Sequence, residues 1–135
     1  MASKAVLDAF RTRQAANWTT LPVYYPNEAG KAPDDLSGFV QIETPVGRRR
    51  TLSIGPTRGY EEEGGIRIVV HVPIVTDFDS EIAFTYADQL ATLFIGKELL
   101  PGLETGASGP VIPQGDDGAY YKVAVVVPYR YRFRA

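Results

Sequence analysis

The chain has 135 residues, 44% apolar and 22% charged, with a formal net charge of −2, and we expect residues 1–135 to form a single domain with its own core. It has no cysteine and one histidine, His71, which excludes disulfides, thiolate metal sites and multi-histidine clusters. The slightly acidic balance argues against a dedicated nucleic-acid binder, which carries a clear basic excess.

No apolar run approaches the roughly 20 residues needed to span a bilayer. The start, "MASKAVLDAF", lacks the apolar core of a secretory signal. The expectation is a protein with no membrane partner, made and kept in the cytoplasm.

In chain order, Ser3 can cap a first helix running to about Ala16, with Val6, Leu7, Phe10 and Gln14 on one stripe. A short strand, Val23–Tyr25, precedes a Pro/Gly/Asp/Asn loop from Pro26 to Ser37. Gly38–Thr44 reads as a strand, "PVG" as a turn, and Arg48–Ile54 as the returning strand. "GPTRGYEEEGG" reads as loop, because glycine and charge dominate it.

Gly65–Val75 is the clearest strand, with Ile66, Ile68, Val70, Val72 and Ile74 on one face. Arg67, Val69, His71, Pro73 and Val75 form a second face apolar enough to be partly covered, and Pro73 marks an edge or bulge. "TDFDS" starts a second helix, capped by Thr76, Asp77, Asp79 or Ser80. Its face is Ala83, Tyr86, Ala87, Leu90, Leu93 and Phe94, and Gly96 stops it. "PGLETGASGP" reads as loop, Val111–Pro113 as a short apolar piece and "QGDDGA" as a turn.

The last strand runs from Tyr120 to about Phe133. Valines and aromatics occupy its odd positions, and Lys122, Arg130, Arg132 and Arg134 occupy even ones. The fold class is therefore α+β: a mostly antiparallel β-sheet with two main helices packed on one face.

The chemistry-bearing clusters each have a plain alternative. Arg48–Arg50 and the row Arg130, Arg132, Arg134 could contact phosphates, or form a solvated or subunit-contacting face. Aromatics on the face opposite the arginines leave no base-stacking platform. Glu61–Glu63 could hold a metal, but adjacent loop acids rarely converge on one ion, so solvated loop or intersubunit partner is the plainer reading. Asp34–Asp35 and Asp116–Asp117 read as turn acids. His71 has no orienting acid or nucleophile near it in sequence, and "GPTRG" and "GASGP" lack the rest of a phosphate loop. No catalytic residues, no cofactor and no metal are expected.

The order and texture of the elements resemble the tail terminator proteins of long-tailed (siphovirus-type) bacteriophages and related phage-like particles such as gene transfer agents. The stretches carrying this are "LPVYYPNEAGKAPDDLSGFVQIE", "GGIRIVVHVPIV", "DFDSEIAFTYADQLATLF" and "YYKVAVVVPYRYRF". The resemblance covers nearly the whole chain. It implies a virion structural protein, not an enzyme, that forms a ring, usually a hexamer. That ring caps the tail tube protein, ends its polymerisation and offers a docking surface to the head connector or stopper. It sits at the head-proximal end of the tail, and DNA passes through its lumen without specific binding. The rivals are a head–tail joining or tail-completion protein, a nucleic-acid-binding module resting on the arginine rows, and a small enzyme resting on His71. Because basic and acidic clusters lie in different elements, we expect Arg48, Arg49, Arg50, Arg130, Arg132 and Arg134 to meet Glu61, Glu62 and Glu63 of a neighbouring subunit.

Overall fold

A computed structural model describes residues 4–25, 38–52, 59–74, 79–116 and 120–134. Two helices, α1 (Lys4–Asn17) and α2 (Asp79–Phe94), accompany seven strands: β1 (Val23–Tyr24), β2 (Phe39–Thr51), β3 (Gly59–Pro73), β4 (Glu98–Leu100), β5 (Leu103–Thr105), β6 (Ile112–Asp116) and β7 (Tyr120–Arg134). The sheet order is β1-β2-β3-β7-β5-β4, with β6 also on β7. All pairings are antiparallel except β1 with β2. The expected class, α+β with helices on one face of a mostly antiparallel sheet, is what the chain adopts.

β3 and β7 form the spine, in register without interruption from Gly59↔Arg134 to Pro73↔Tyr120. Period-two alternation then fixes the faces. Ile66, Ile68 and Val70 of β3 and Val123, Val125 and Val127 of β7 all point to one side and are buried. The helices cover that side, with Val6, Ala9 and Phe10 of α1 and Ala83, Ala87, Leu90, Ala91 and Phe94 of α2 inside. Phe10 links the layers, 4.9 Å from the Phe94 ring and 6.5 Å from that of Tyr129. Each such aliphatic or aromatic side chain contributes about 1.5–3 kcal/mol by leaving water.

The other sheet face is also closed at one end. Phe39 stacks on His71 at 4.1 Å, and Tyr120 meets Phe39 edge-on at 5.3 Å. His71 is thus part of a packed ring cluster, as the apolar second face of its strand led one to expect.

α2 ends as expected at Gly96, whose φ of 64° suits glycine. Its last carbonyls are met from outside the helix: the Thr105 hydroxyl donates to the Phe94 carbonyl and accepts from the Lys97 N–H at 2.9 Å. Thr105 belongs to the β4–β5 hairpin, whose second strand, β5, lies in the "PGLETGASGP" stretch expected to be loop. β7 holds that hairpin through Leu103↔Tyr131, Glu104↔Arg130 and Thr105↔Tyr129.

Two further expectations are corrected. "PVG" is not a turn: β2 runs through it, and the register with β3 slips by one residue between Glu43 and Val46. An extra residue there forms a bulge, which accommodates Pro45 without a ladder N–H. "GYEEEGG" is not loop but the first half of β3. The Ser3, Thr76 and Asp77 caps, the Pro26–Ser37 loop with Asp34–Asp35, the "GPTR" stretch, Ile54, Val75 and Asp117 lie outside the described residues.

Candidate functional site: a charged β-arm

At one end of the sheet, β2, β3 and β7 run on as an arm, residues 46–51, 59–64 and 129–134, with β5 alongside β7 at Tyr129–Tyr131. The two triplets of like charge face each other across the first strand pair. Arg48 pairs in register with Glu63, Arg49 with Glu62 and Arg50 with Glu61. On the far side of β3, Arg132 lies opposite Glu61 and Arg130 opposite Glu63. The glutamates therefore occupy the central strand, between arginines on both sides.

Alternation splits these groups between the two faces. On the face away from the helices, Glu61 Oε1 accepts from Arg50 Nε at 3.1 Å and Nη2 at 2.8 Å, while its Oε2 accepts from Arg132 Nε at 2.7 Å. Arg130 Nε stands 3.5 Å from Glu63 and 3.8 Å from Glu61, and Arg48 Nη2 donates to Glu63 at 3.2 Å. On the helix side, Glu62 accepts from Arg49 Nη2 at 2.9 Å and from the Tyr129 hydroxyl at 2.9 Å. Arg49 also lies 5.1 Å over the Phe133 ring, which stacks with Tyr60 and Tyr131 at 5.5 and 5.0 Å.

Burial is asymmetric within the pairs. The Glu61 and Glu62 side chains are 0% and 3% exposed, whereas those of Arg48, Arg49, Arg50, Arg130 and Arg132 are all more than half exposed. The carboxylates form a floor and the guanidiniums a roof. The Arg132 hydrogen bond, then that of Arg50, outweighs the burial penalty and holds the Glu61 carboxyl at a pKa of about 2. Arg132 is correspondingly raised above its ordinary value by Glu61. Burial first, then the bond to Glu62, pushes the Tyr129 phenol above its usual range. Each guanidinium keeps N–H donors beyond those spent on glutamate. Arg134, opposite Gly59, adds a further exposed cation on the outer face.

The expected pairing of arginines with glutamates is thus present, but within one chain. Glu61 and Glu62 are already enclosed by arginines of their own chain, which bridge to them across the strands. A metal role for the glutamate triplet meets the same obstacle, and among the described residues no cluster of three or more metal-ligating groups occurs. Sequence reasoning missed Tyr129 as the hydroxyl partner of Glu62 and Arg67 as a second bridge, from Glu43 at 2.6 Å to Gln114 at 2.8 Å. A usable signal was available: the triplets at 48–50 and 61–63 are mirror images about one hairpin tip.

A groove of about 620 Å³ lies between α1 and β4, lined in part by Ala5, Ala9, Leu99 and Leu100. Its Asp8 accepts from Lys4 and its Arg13 donates to the Leu93 carbonyl.

A sheet-and-helix body with a stiffened charged arm defines a protein that acts through contact surfaces, a component of an assembly. The comparisons make this specific. The family model described as "Phage tail terminator protein" matches residues 5–129, and the chain belongs to that family. The family is structural, so the protein is a virion tail component with a role in tail completion. Among solved structures, one superposes with a TM-score of 0.65 at 24% identity, covering 98% of this chain and 97% of its own, and it supports the fold alone. Among curated proteins none matches significantly.

Proposed function

We propose that the protein forms a closed ring, a hexamer, on the last ring of the tail tube protein. There it ends polymerisation and offers a surface to the head connector or stopper protein. DNA passes through its lumen without specific binding, and assembly takes place in the host cytoplasm. The observation that carries this reading is the family match over residues 5–129. The arm supports it physically. Arg48, Arg49, Arg50, Arg130, Arg132 and Arg134 stay exposed on a scaffold prestiffened by Glu61, Glu62 and Glu63, which lowers the ordering cost of an interface. We place the contacts between subunits on this surface.

The test is electron microscopy and light scattering of the purified protein with and without tail tubes. Rings at tube ends, with tubes of defined length, are the expected result. Rings retained on filled heads that lack tails would assign the protein instead to the head–tail joint. Salt-sensitive DNA binding by the isolated protein would favour a nucleic-acid module.

A further inference from the structure

The arm is basic and the remainder of the chain acidic. The arm strands carry six arginines and three glutamates, leaving eight basic and thirteen acidic residues elsewhere. Two of those acids, Glu81 and Asp88, lie two turns apart on the exposed stripe of α2, with Thr85 and Thr92 alongside. Both threonine hydroxyls are turned back onto the helix's own carbonyls, which leaves the carboxylates as the outward polar groups. Neither acid holds an ion pair among the described residues.

Beside Asp88 a groove of about 470 Å³ runs between α2 and the segment after α1, lined by Trp18, Gln89, Thr92 and Leu93 among others. Trp18 is 5% exposed, and its buried indole Nε1 has no hydrogen-bond partner among the described residues.

The arm supplies the complement. Its helix-side face presents Tyr60, Tyr131 and Phe133, each half-buried, next to the half-exposed guanidinium of Arg49. The rings suit the apolar edge of the groove at Leu93, and the unspent donors of Arg49 suit Asp88. We propose that the aromatic face of the arm docks into the α2 groove of a second copy of this chain. The two surfaces differ, so the contact is head-to-tail and repeats around a ring. The inference rests on the ring reading and names its interface.

The chain has no cysteine, which permits a clean crosslinking test. Thr51→Cys, exposed on the docking face opposite Tyr60, and Thr92→Cys proteins are mixed under ring-forming conditions and treated with a short bis-maleimide, with Thr51→Cys plus Thr12→Cys as the control pair. A crosslinked dimer from the first pair and not from the control is expected. Independently, the exposed double change Glu81→Lys with Asp88→Lys should raise the midpoint concentration for assembly about tenfold or more. If wild type forms rings but the first pair does not crosslink, or the double change assembles like wild type, the docking proposal is overturned and the ring reading stands. If Thr92→Cys crosslinks to tube protein in place of a second copy, the occupant is wrong and the proposal fails. If wild type stays monomeric with and without tubes, the ring reading fails and the proposal with it.

Discussion

In the body, β3 and β7 are held by valine and isoleucine packed beneath two helices; in the arm, the same two strands continue past the Phe10–Tyr129 contact and are held mainly by arginine, glutamate and tyrosine. The register is continuous across both regions. One ladder of backbone hydrogen bonds is therefore stabilised by two different chemistries along its length. The body gains from apolar area removed from water, which is non-directional and insensitive to pH. The arm gains from directional bonds to buried carboxylates, which fix one register and depend on protonation. The contrast explains how a strand end beyond the aliphatic core can stay ordered and present a charged surface.

The largest expected effect lies in the body. Val125, 1% exposed at the centre of β7, cannot accept a charge, and Val125→Asp should cost about 4 kcal/mol or more. Urea denaturation should find the variant largely unfolded. Leu90→Ala, at a site 1% exposed under α2, should cost about 2–5 kcal/mol in the same assay. A loss below about 0.5 kcal/mol would mean that the helix does not pack as described.

The arm should respond more weakly and locally. Glu62→Ala strands the Tyr129 hydroxyl and frees Arg49, which should cost about 1–3 kcal/mol. Amide exchange should quicken in residues 46–51 and 59–64 while Ile68 and Val125 keep their protection. Equal loss of protection in both regions would show that the two are one cooperative unit.

Acid should separate the regions by the same readout. The folded pKa of Glu61 is lowered to about 2 from 4.5, so its contribution is fully present above pH 4.5 and lost as the pH falls toward 2. Tyr129 is raised, so its contribution holds below pH 10 and fades above it. The arm is expected to loosen before the body at both extremes. The smallest effect belongs to the exposed Lys4–Asp8 pair at the start of α1, where Lys4→Ala should change stability by less than about 0.5 kcal/mol.

How much of this was legible depends on the chemistry holding each region. The body announced itself: Ile66, Ile68 and Val70, the odd positions of β7, and the Ala83–Phe94 face all repeat at the period of their element. In β7 the Arg130 and Arg132 side chains are exposed, while Tyr129 is buried and Tyr131 half-buried, as the alternation predicts. The arm lacks apolar residues at strand spacing between Gly59 and Gly65, so a local window reads "GYEEEGG" as loop. What makes it strand is matched charge on two other strands: for Glu61, Arg50 lies 11 residues before it and Arg132 71 after it. The β4–β5 hairpin was missed for a similar reason. Its two three-residue strands owe their place to β7 and to the cap that Thr105 gives α2. The family and fold were recognisable from element order, whereas the cross-strand bonds of Glu61, Glu62 and Glu63 to arginines of their own chain were missed because the glutamates were placed in a loop.

β7 pairs with β3 along one edge and with β5 and β6 along the other, and all three precede it in the chain. During synthesis, β2 and β3 emerge long before the strand that completes both the core and the arm. Until then the edge of β3 is unfilled, and Glu61 lacks Arg132. Closure must wait for the seventh strand, which makes for slow, non-local folding with a window in which the open edge can pair wrongly. A nascent chain therefore cannot display the finished arm, so contacts that need it are delayed until the whole sheet has been made.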